Sequence, residues 1–391
     1  MKIGLALSGG GFRATVFHLG VLARLAEDSQ LEDVAYLSTV SGGSLCVGLI
    51  YALNDFRWPA SQDFIKKVVP EARIKITTEG LQQALIWRTL RSWWNIFETR
   101  ADDLSILLQK HWGVTARLNT IPSKPRWMIN ATCSETGKNW RFENFRMGDY
   151  LFGYTSNPDI PLSDALAASA GFPGLIGPLF LDAKKYSWFN YKDQVETLAI
   201  QETHKARKTV PSKPLYLVAH LWDGGVYDNH GLEGLHNFET GWQGKIEFLI
   251  VSDGVGRSKP EKYRRGAKAL LRIATGIMMD QIRSLRTRVI LERLINHRDE
   301  GDRGSFLQIG NTCNHVLQNA NREDEIPLKC PNCLPESETR LAENMMTEIR
   351  SLTQAEYERL FRHGFEVADY TLYAYNEDKF QYIGYANSSW G

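Results

Sequence analysis

The sequence predicts an α/β protein: a mainly parallel central sheet with helices on both faces, three layers in all. Three observations predict it. Short apolar runs (3–7, 34–39 and 246–252) alternate with stretches whose apolar residues recur at helical spacing. Each run leads straight into a turn of small residues: Ser8-Gly9-Gly10-Gly11, Ser41-Gly42-Gly43 and Asp253-Gly254. The composition, 43% hydrophobic and 23% charged over 391 residues, suffices for a large buried core. Open sheets of this kind place their sites at the carboxyl ends of strands, so the turns are where chemistry is sought.

The elements follow in order. Residues 3–7 are the first strand, and 13–28 a helix in which Val16, Leu19, Leu22 and Leu25 share a face. Residues 34–39 and 44–53 repeat the strand–helix unit, and 60–100 read as helical with an aromatic-basic end. Residues 127–143 have a hairpin pattern: Trp127, Ile129 and Ala131 alternate, Glu135-Thr136-Gly137-Lys138 turns, and Trp140 and Phe142 return. A small-residue helix over 161–170 is stopped by Gly171-Phe172-Pro173-Gly174. Residues 183–213, rich in Lys, Tyr and polar groups, read as an insertion. Strands over 215–221 and 246–252 end in Asp223-Gly224-Gly225 and Asp253-Gly254. Residues 261–298 read as a basic helix broken near Gly276, 305–335 as irregular, and 336–376 as helical.

Bulk properties narrow the function. A net charge of +1 gives no global attraction to nucleic acid. The first apolar run is too short for a signal peptide and lacks a cleavage site. No stretch approaches the roughly 18 apolar residues of a spanning helix. A soluble, cytoplasmic chain is expected. Five scattered cysteines do not form a secreted disulfide framework.

Three turns carry candidate chemistry. Gly9-Gly10-Gly11-Phe12-Arg13-Ala14 fits a dinucleotide fingerprint, but such a site wants an acid at the end of the second strand. That strand ends in Ser38-Thr39-Val40-Ser41, and Asp33 precedes it. The same glycine N–H groups at a helix N-terminus can instead hold an oxyanion. Ser41 in Thr39-Val40-Ser41-Gly42-Gly43 has the setting of a nucleophile elbow, with Thr39 where the pattern wants glycine. Too few strands precede Ser41 for an ordinary α/β-hydrolase, and neither His220 nor His230 carries a clear catalytic signature. Exposed or capping roles are expected for both. Asp223, before Gly224-Gly225, is the candidate general base; Asp253-Gly254 has a similar shape but lacks the second glycine.

These features in this order resemble the patatin-like phospholipase family. A fourth block, Ala167-Ala168-Ser169-Ala170-Gly171-Phe172-Pro173-Gly174, strengthens the resemblance. It implies a three-layer patatin-like α/β/α fold, with a catalytic domain over 1–301 and a helical C-terminal extension over 302–391 packed on it. It implies acyl-ester hydrolysis of phospholipids or related lipids by a Ser41–Asp223 dyad, through an acyl-enzyme and without a cofactor. Carried over by position, Gly9, Gly10 and Gly11 would stabilise the oxyanion with Arg13 supporting their loop, while Gly42, Gly43, Gly224 and Gly225 shape the two turns. The long span before Asp223 makes 183–213 a candidate lid. A non-catalytic or nucleotide-binding module on the same scaffold is the competing reading, and a ligand-gated, membrane-attacking effector a variant of the first.

Two further segments stand apart. In 85–97, Trp87, Leu90, Trp94 and Phe97 share a helical face beside Arg88 and Arg91, which suits an interfacial helix and equally a core helix with snorkelling arginines. The basic stretch 257–298 suits anionic headgroups or a nucleotide regulator, or is a solvated face. Peripheral membrane association is what the resemblance implies. Cys313, His315, Cys330 and Cys333 are spaced as a candidate structural zinc knuckle.

Overall fold

The structure is a computed structural model that describes residues 1–91, 99–191, 208–237, 241–257, 260–263, 265–297 and 301–391. The chain opens with two strand–helix units: β1 (Ile3–Leu7) into α1 (Gly11–Glu27), and β2 (Val34–Val40) into α2 (Gly42–Leu53). All of β1 is buried, and so is nearly all of α2, which accounts for their continuous apolar runs. Next come β3 (Arg126–Cys133), β4 (Asn139–Phe142), β5 (Arg146–Asp149), β6 (Gly153–Ser156), β7 (Leu179–Asp182), β8 (Trp188–Tyr191), β9 (Thr209–Ser212) and β10 (Val218–Asp223).

Five strands form the parallel centre, in the order Gly304–Gln308, Phe248–Asp253, β1, β2, β3. Both functional turns of the N-terminal half therefore leave the same edge of the sheet. From β3 outward through β4, β5, β6, β8 and β9 the pairing is antiparallel. From β3 to β6 short connections dictate this, because a parallel crossover needs a dozen residues or more. β10 also runs antiparallel, placing Asp223 opposite Ala131 of β3.

The expected extension is continuous with this body. Residues 304–308, read as irregular from the sequence, pair in parallel with Phe248–Asp253 and complete the sheet. The helix Gln354–Asn376 packs on α1, and here two glycines are required. A Cβ on Gly20 would lie 2.0 Å from the Phe361 carbonyl oxygen, and one on Gly364 would lie 2.0 Å from that of Phe17. The same interface buries Arg24, whose Nε lies 2.5 Å from Asp369 and whose Nη1 lies 2.7 Å from Asp28.

The insertion read at 183–213 has described flanks, β8 and β9, that form a hairpin paired to β6 at the sheet edge. Its middle, 192–207, lies outside the described residues.

The zinc knuckle is corrected. Cys313 and Cys330 are joined in a disulfide, so neither offers a thiolate. His315 is exposed and faces Asn319, and Cys333 contacts Tyr382 Oη. Among the described residues no group of three or more His, Cys, Asp or Glu is placed to hold a metal.

Replacing Asp369 by Ala leaves a buried guanidinium with only Asp28 and the Gln381 carbonyl as partners. Urea unfolding of Asp369→Ala is expected to show a loss of about 3 kcal/mol; unchanged stability would mean that the pair contributes nothing to seating the C-terminal helix.

Candidate active site

Ser41 follows β2 directly and caps α2. Its backbone has φ 49° and ψ −115°, a conformation that costs a non-glycine residue energy and is typical of a nucleophile elbow. Thr39 is still within β2, where extended backbone makes no demand for glycine. Its hydroxyl is useful instead: Trp127 Nε1 donates to Thr39 Oγ1 at 2.9 Å, Thr39 Oγ1 lies 2.8 Å from Ser44 Oγ, and Ser44 Oγ lies 2.8 Å from Ser169 Oγ. That chain ends on Ser41, whose N–H donates to Ser169 Oγ at 3.0 Å. The glycines after Ser41 tie its turn to the first one. Gly43 N–H donates to the Ser8 carbonyl at 3.0 Å, and Thr15 Oγ1 donates to the Gly42 carbonyl at 2.8 Å.

Asp223 reaches the same place from β10. Its N–H donates to the Gly171 carbonyl at 3.0 Å, and Gly224 N–H donates to the Ser169 carbonyl at 3.3 Å. The turn after the helix Leu162–Ser169 thus holds both Ser41 and Asp223. Burial drives the Asp223 carboxyl up to about 7, against the Gly225 N–H, which donates to it at 2.7 Å, and the neighbouring Ser41 hydroxyl. A carboxyl at that value can exchange a proton with a hydroxyl near neutrality.

Asp253, the sequence's rival, is built the opposite way. Burial alone would raise it, but His230 and then Arg283 outweigh that and hold it down at about 2. Its oxygens lie 3.4 Å from His230 Nε2, 3.3 Å from Arg283 Nη1 and 3.1 Å from the Val255 N–H that donates to it. Asp253 is committed to structure. His230 is fully buried, correcting the exposed or capping role expected for it; His220 is half-exposed and pairs with Glu135.

The glycine turn divides its donors. Gly9 N–H donates to the Asn229 carbonyl at 3.1 Å. Gly10, at φ 131°, and Gly11, the first residue of α1, present N–H groups with no hydrogen-bond partner among the described residues, and both line the cavity that contains Ser41. The anion-binding capacity expected of three glycines is therefore concentrated in two. Arg13 lies beneath them: its Nε donates to the Gly254 carbonyl at 3.1 Å and its Nη1 to the Met345 carbonyl at 2.5 Å. Burial lowers its pKa to about 10, which leaves it charged at neutral pH. His18, pushed down to about 4 by burial, is neutral. Its Nε2 faces the Ser8 carbonyl at 3.0 Å, which can only accept, so Nε2 carries the hydrogen and Nδ1 accepts from Ser252 Oγ at 2.7 Å.

The cavity, about 510 Å³, runs from Ser41 and Asp223 between apolar walls that include Leu45, Leu85, Phe172, Ile176, Val255 and Ile349. Besides Asp223, its charged lining residues are Arg100, Asp280 and Glu348. Thr347, Glu348 and Ile349 come from the C-terminal part of the chain, which the sequence reading left outside the site. The described flanks of 183–213 do not line it; Thr275, Met279 and Asp280 of the basic helical stretch do. Ser169, Asn229, His18 and His230 were also not assigned to the site from sequence. Only Ser169 had a signal, its place in the fourth motif.

The chain matches a model of the patatin-like phospholipase family over residues 5–236. A patatin-like phospholipase domain-containing protein of Pyricularia oryzae is 27% identical over 186 residues, covering 47% of this chain and 21% of that protein. Lysophospholipase 3 of Saccharomyces cerevisiae is 30% identical over 166 residues, 37% of this chain and 23% of the yeast protein. The chain thus spans about a fifth of the length of these curated relatives. Among solved structures, human GIVD cytosolic phospholipase A2 shares the fold with a TM-score of 0.51 at 13% identity, over 94% of this chain and 58% of that one.

Two outcomes follow from this geometry. Ser169→Ala removes the acceptor of the Ser41 N–H, and the rate of Ser41 labelling by a fluorophosphonate should fall about tenfold, with the affinity of a non-covalent lipid analogue unchanged. Asp223→Asn removes a carboxyl whose ionisation opposes folding. The wild-type contribution of Asp223 is greatest below its unfolded value of 3.8 and is lost as pH rises through about 7. Asp223→Asn should therefore melt above the wild type at pH 8, with the difference shrinking towards pH 4; a constant difference would show that Asp223 is not a buried, raised carboxyl.

Proposed function

The chain belongs to the patatin-like phospholipase family, and from that premise we propose that it is a lipid acyl hydrolase cleaving carboxylic esters of phospholipids through a Ser41–Asp223 dyad. The observation that carries the reading is the pairing of a strained serine at a helix N-terminus with a buried carboxyl raised to about 7, at the end of an apolar cavity.

Asp223, as carboxylate, takes the proton of Ser41 Oγ as that oxygen attacks the ester carbonyl. The oxyanion that forms accepts from the N–H groups of Gly10 and Gly11, aided by the N-terminal ends of α1 and α2. Collapse of the tetrahedral intermediate expels the lipid alcohol, which takes its proton from Asp223, and leaves the acyl group on Ser41. Water then attacks the acyl-enzyme with Asp223 again as base, releasing the fatty acid and restoring the serine. The apolar walls suit an acyl chain, and their dryness is what keeps Asp223 basic enough for the task.

The Lysophospholipase 3 name of the yeast relative supports a lipid ester as substrate. Such a substrate sits in a membrane or micelle, so the enzyme works at a lipid surface. The competing reading of a non-catalytic module is less well supported, because the nucleophile, base and free N–H donors converge on one cavity.

A panel of phospholipids and lysophospholipids tests the proposal. Ser41→Ala should abolish both release of fatty acid and fluorophosphonate labelling, and Asp223→Asn should lower the rate at least about a hundredfold. Because Asp223 must be ionised to act as base, kcat/KM should climb with pH through about 7 and then level. Undiminished hydrolysis by Ser41→Ala, or a rate that falls as pH rises through that range, would overturn the dyad.

A further inference from the structure

We infer that the mouth of this cavity is a docking face for an anionic lipid bilayer, formed by the outer side of the helix Leu81–Arg91 and by residues 267–278. The inference rests on the lipid-hydrolase reading and adds to it the surface through which substrate arrives.

The face is apolar where a free surface should not be. Trp87 is 74% exposed, Leu270 69%, Ile277 57% and Met278 56%. No residue from Ala267 to Met278 is buried. For Trp87, this excludes the core-packing role left open by the sequence; Leu90, Trp94 and Phe97 lie outside the described side chains. Isolated apolar residues on a surface need no explanation, but these are grouped. Ile86 of the first segment and Thr275 of the second both line the cavity, as do the neighbouring Leu175 and Met279, so both segments border it. Leu271 closes the rim on one side, its side chain 3.6 Å from where a Cβ on Gly174 would sit.

The charge around these residues points to the occupant. Lys262, Arg265 and Lys268 are exposed, Arg272 is half-exposed and lies 3.7 Å from Glu261, and Glu261 and Asp280 are the acidic residues among the described positions of 260–280. Apolar side chains interleaved with cations suit an interface that offers hydrocarbon beneath negative headgroups. A protein seated over the same mouth would close the route to Ser41, whereas a bilayer feeds it.

The mounting of the segment fits this use. The helix Met279–Asn296 is fixed to the body by ion pairs from Arg283 to Asp253 at 3.3 Å, Arg286 to Glu233 at 2.8 Å and Arg293 to Asp302 at 2.9 Å. Residues 267–278 extend from that anchored helix through a π-helical turn, Ile273–Met278, which contains Gly276. Such turns recur at functional sites because the widened backbone re-aims the side chains on either side. Here they are aimed outward.

The test uses full-length protein made inactive by Ser41→Ala, so that binding is measured without hydrolysis, and flotation with vesicles of phosphatidylcholine alone or mixed with phosphatidylglycerol. The parent should float with the anionic vesicles. Combining Trp87→Gln, Leu270→Gln and Ile277→Gln should weaken that binding by at least about tenfold at any salt concentration. Arg265→Gln with Lys268→Gln should weaken it about thirtyfold at low salt, with the difference fading at high salt and absent on phosphatidylcholine. With Ser41 restored, both sets should hydrolyse a soluble, monomeric short-chain ester as the wild type does, which shows that they are folded. Vesicle binding unchanged in both sets would overturn the docking face, and so would a wild-type dimer that the apolar set dissociates. Failure of the wild type on the soluble ester would overturn the hydrolase reading instead, and the flotation result would still decide the face.

Discussion

One turn, Ser169 to Gly171, ties Ser41 to Asp223, the two members of the proposed dyad. Ser169 accepts the Ser41 N–H through its hydroxyl and the Gly224 N–H through its carbonyl, and Gly171 accepts the Asp223 N–H. Ser41 follows a parallel strand near the start of the chain, and Asp223 ends an antiparallel strand far along it. These two strands do not pair with each other; β3 lies between them, parallel to β2 and antiparallel to β10. The turn adds a direct tie across that gap, through two backbone carbonyls and the Ser169 hydroxyl. The hydroxyl chain through Ser44 and Thr39 to Trp127 then ties it to the sheet. Each of these bonds is modest alone. Together they hold Ser41 in a backbone conformation it would not adopt by itself.

Two buried aspartates then divide the electrostatic work. Asp253 is surrounded by His230, Arg283 and the Val255 N–H, and it stays ionised. Asp223 has an amide donor and a serine hydroxyl, with no cation among its principal neighbours, and burial dominates. The same residue type at the end of a strand thus becomes an ionised anchor in one place and, in the other, the raised carboxyl that the proposed dyad uses as its base. The anchor reaches the site too. Arg283 and the Val255 loop connect Asp253 to the helix that carries the cavity's outer wall, and Ser8 Oγ accepts the Gly254 N–H at 2.8 Å beside the glycine turn.

The C-terminal ninety residues are structural partners of the site rather than an appendage. They add the strand Gly304–Gln308 to the parallel sheet, and the segment at 345–349 covers the glycine turn. The Glu348 carbonyl accepts the Phe12 N–H at 2.8 Å, just after the two unpartnered donors, so the oxyanion loop is held from both sides. A wall of the cavity would be missing without these residues.

What the sequence determined by itself is what short windows encode. Periodicity marked β1, α1, β2 and α2, and small residues marked the turns, because a tight turn at a helix N-terminus excludes bulk whatever surrounds it. Those signals sufficed for the fold class and for naming Ser41 and Asp223 as candidates. They could not say that Gly9 has spent its N–H on Asn229, that Cys313 joins Cys330 and leaves no zinc site, or that 304–308 is a strand. Each of those depends on a partner distant in sequence. The second glycine marked Asp223 over Asp253, but their opposite ionisation was not legible for the same reason: it follows the dielectric and the charges that packing brings within a few ångströms. Only the tertiary structure decides which carboxyl is left facing the serine, because burial and ion pairing are properties of the assembled neighbours and not of the Asp-Gly pair that both sites share.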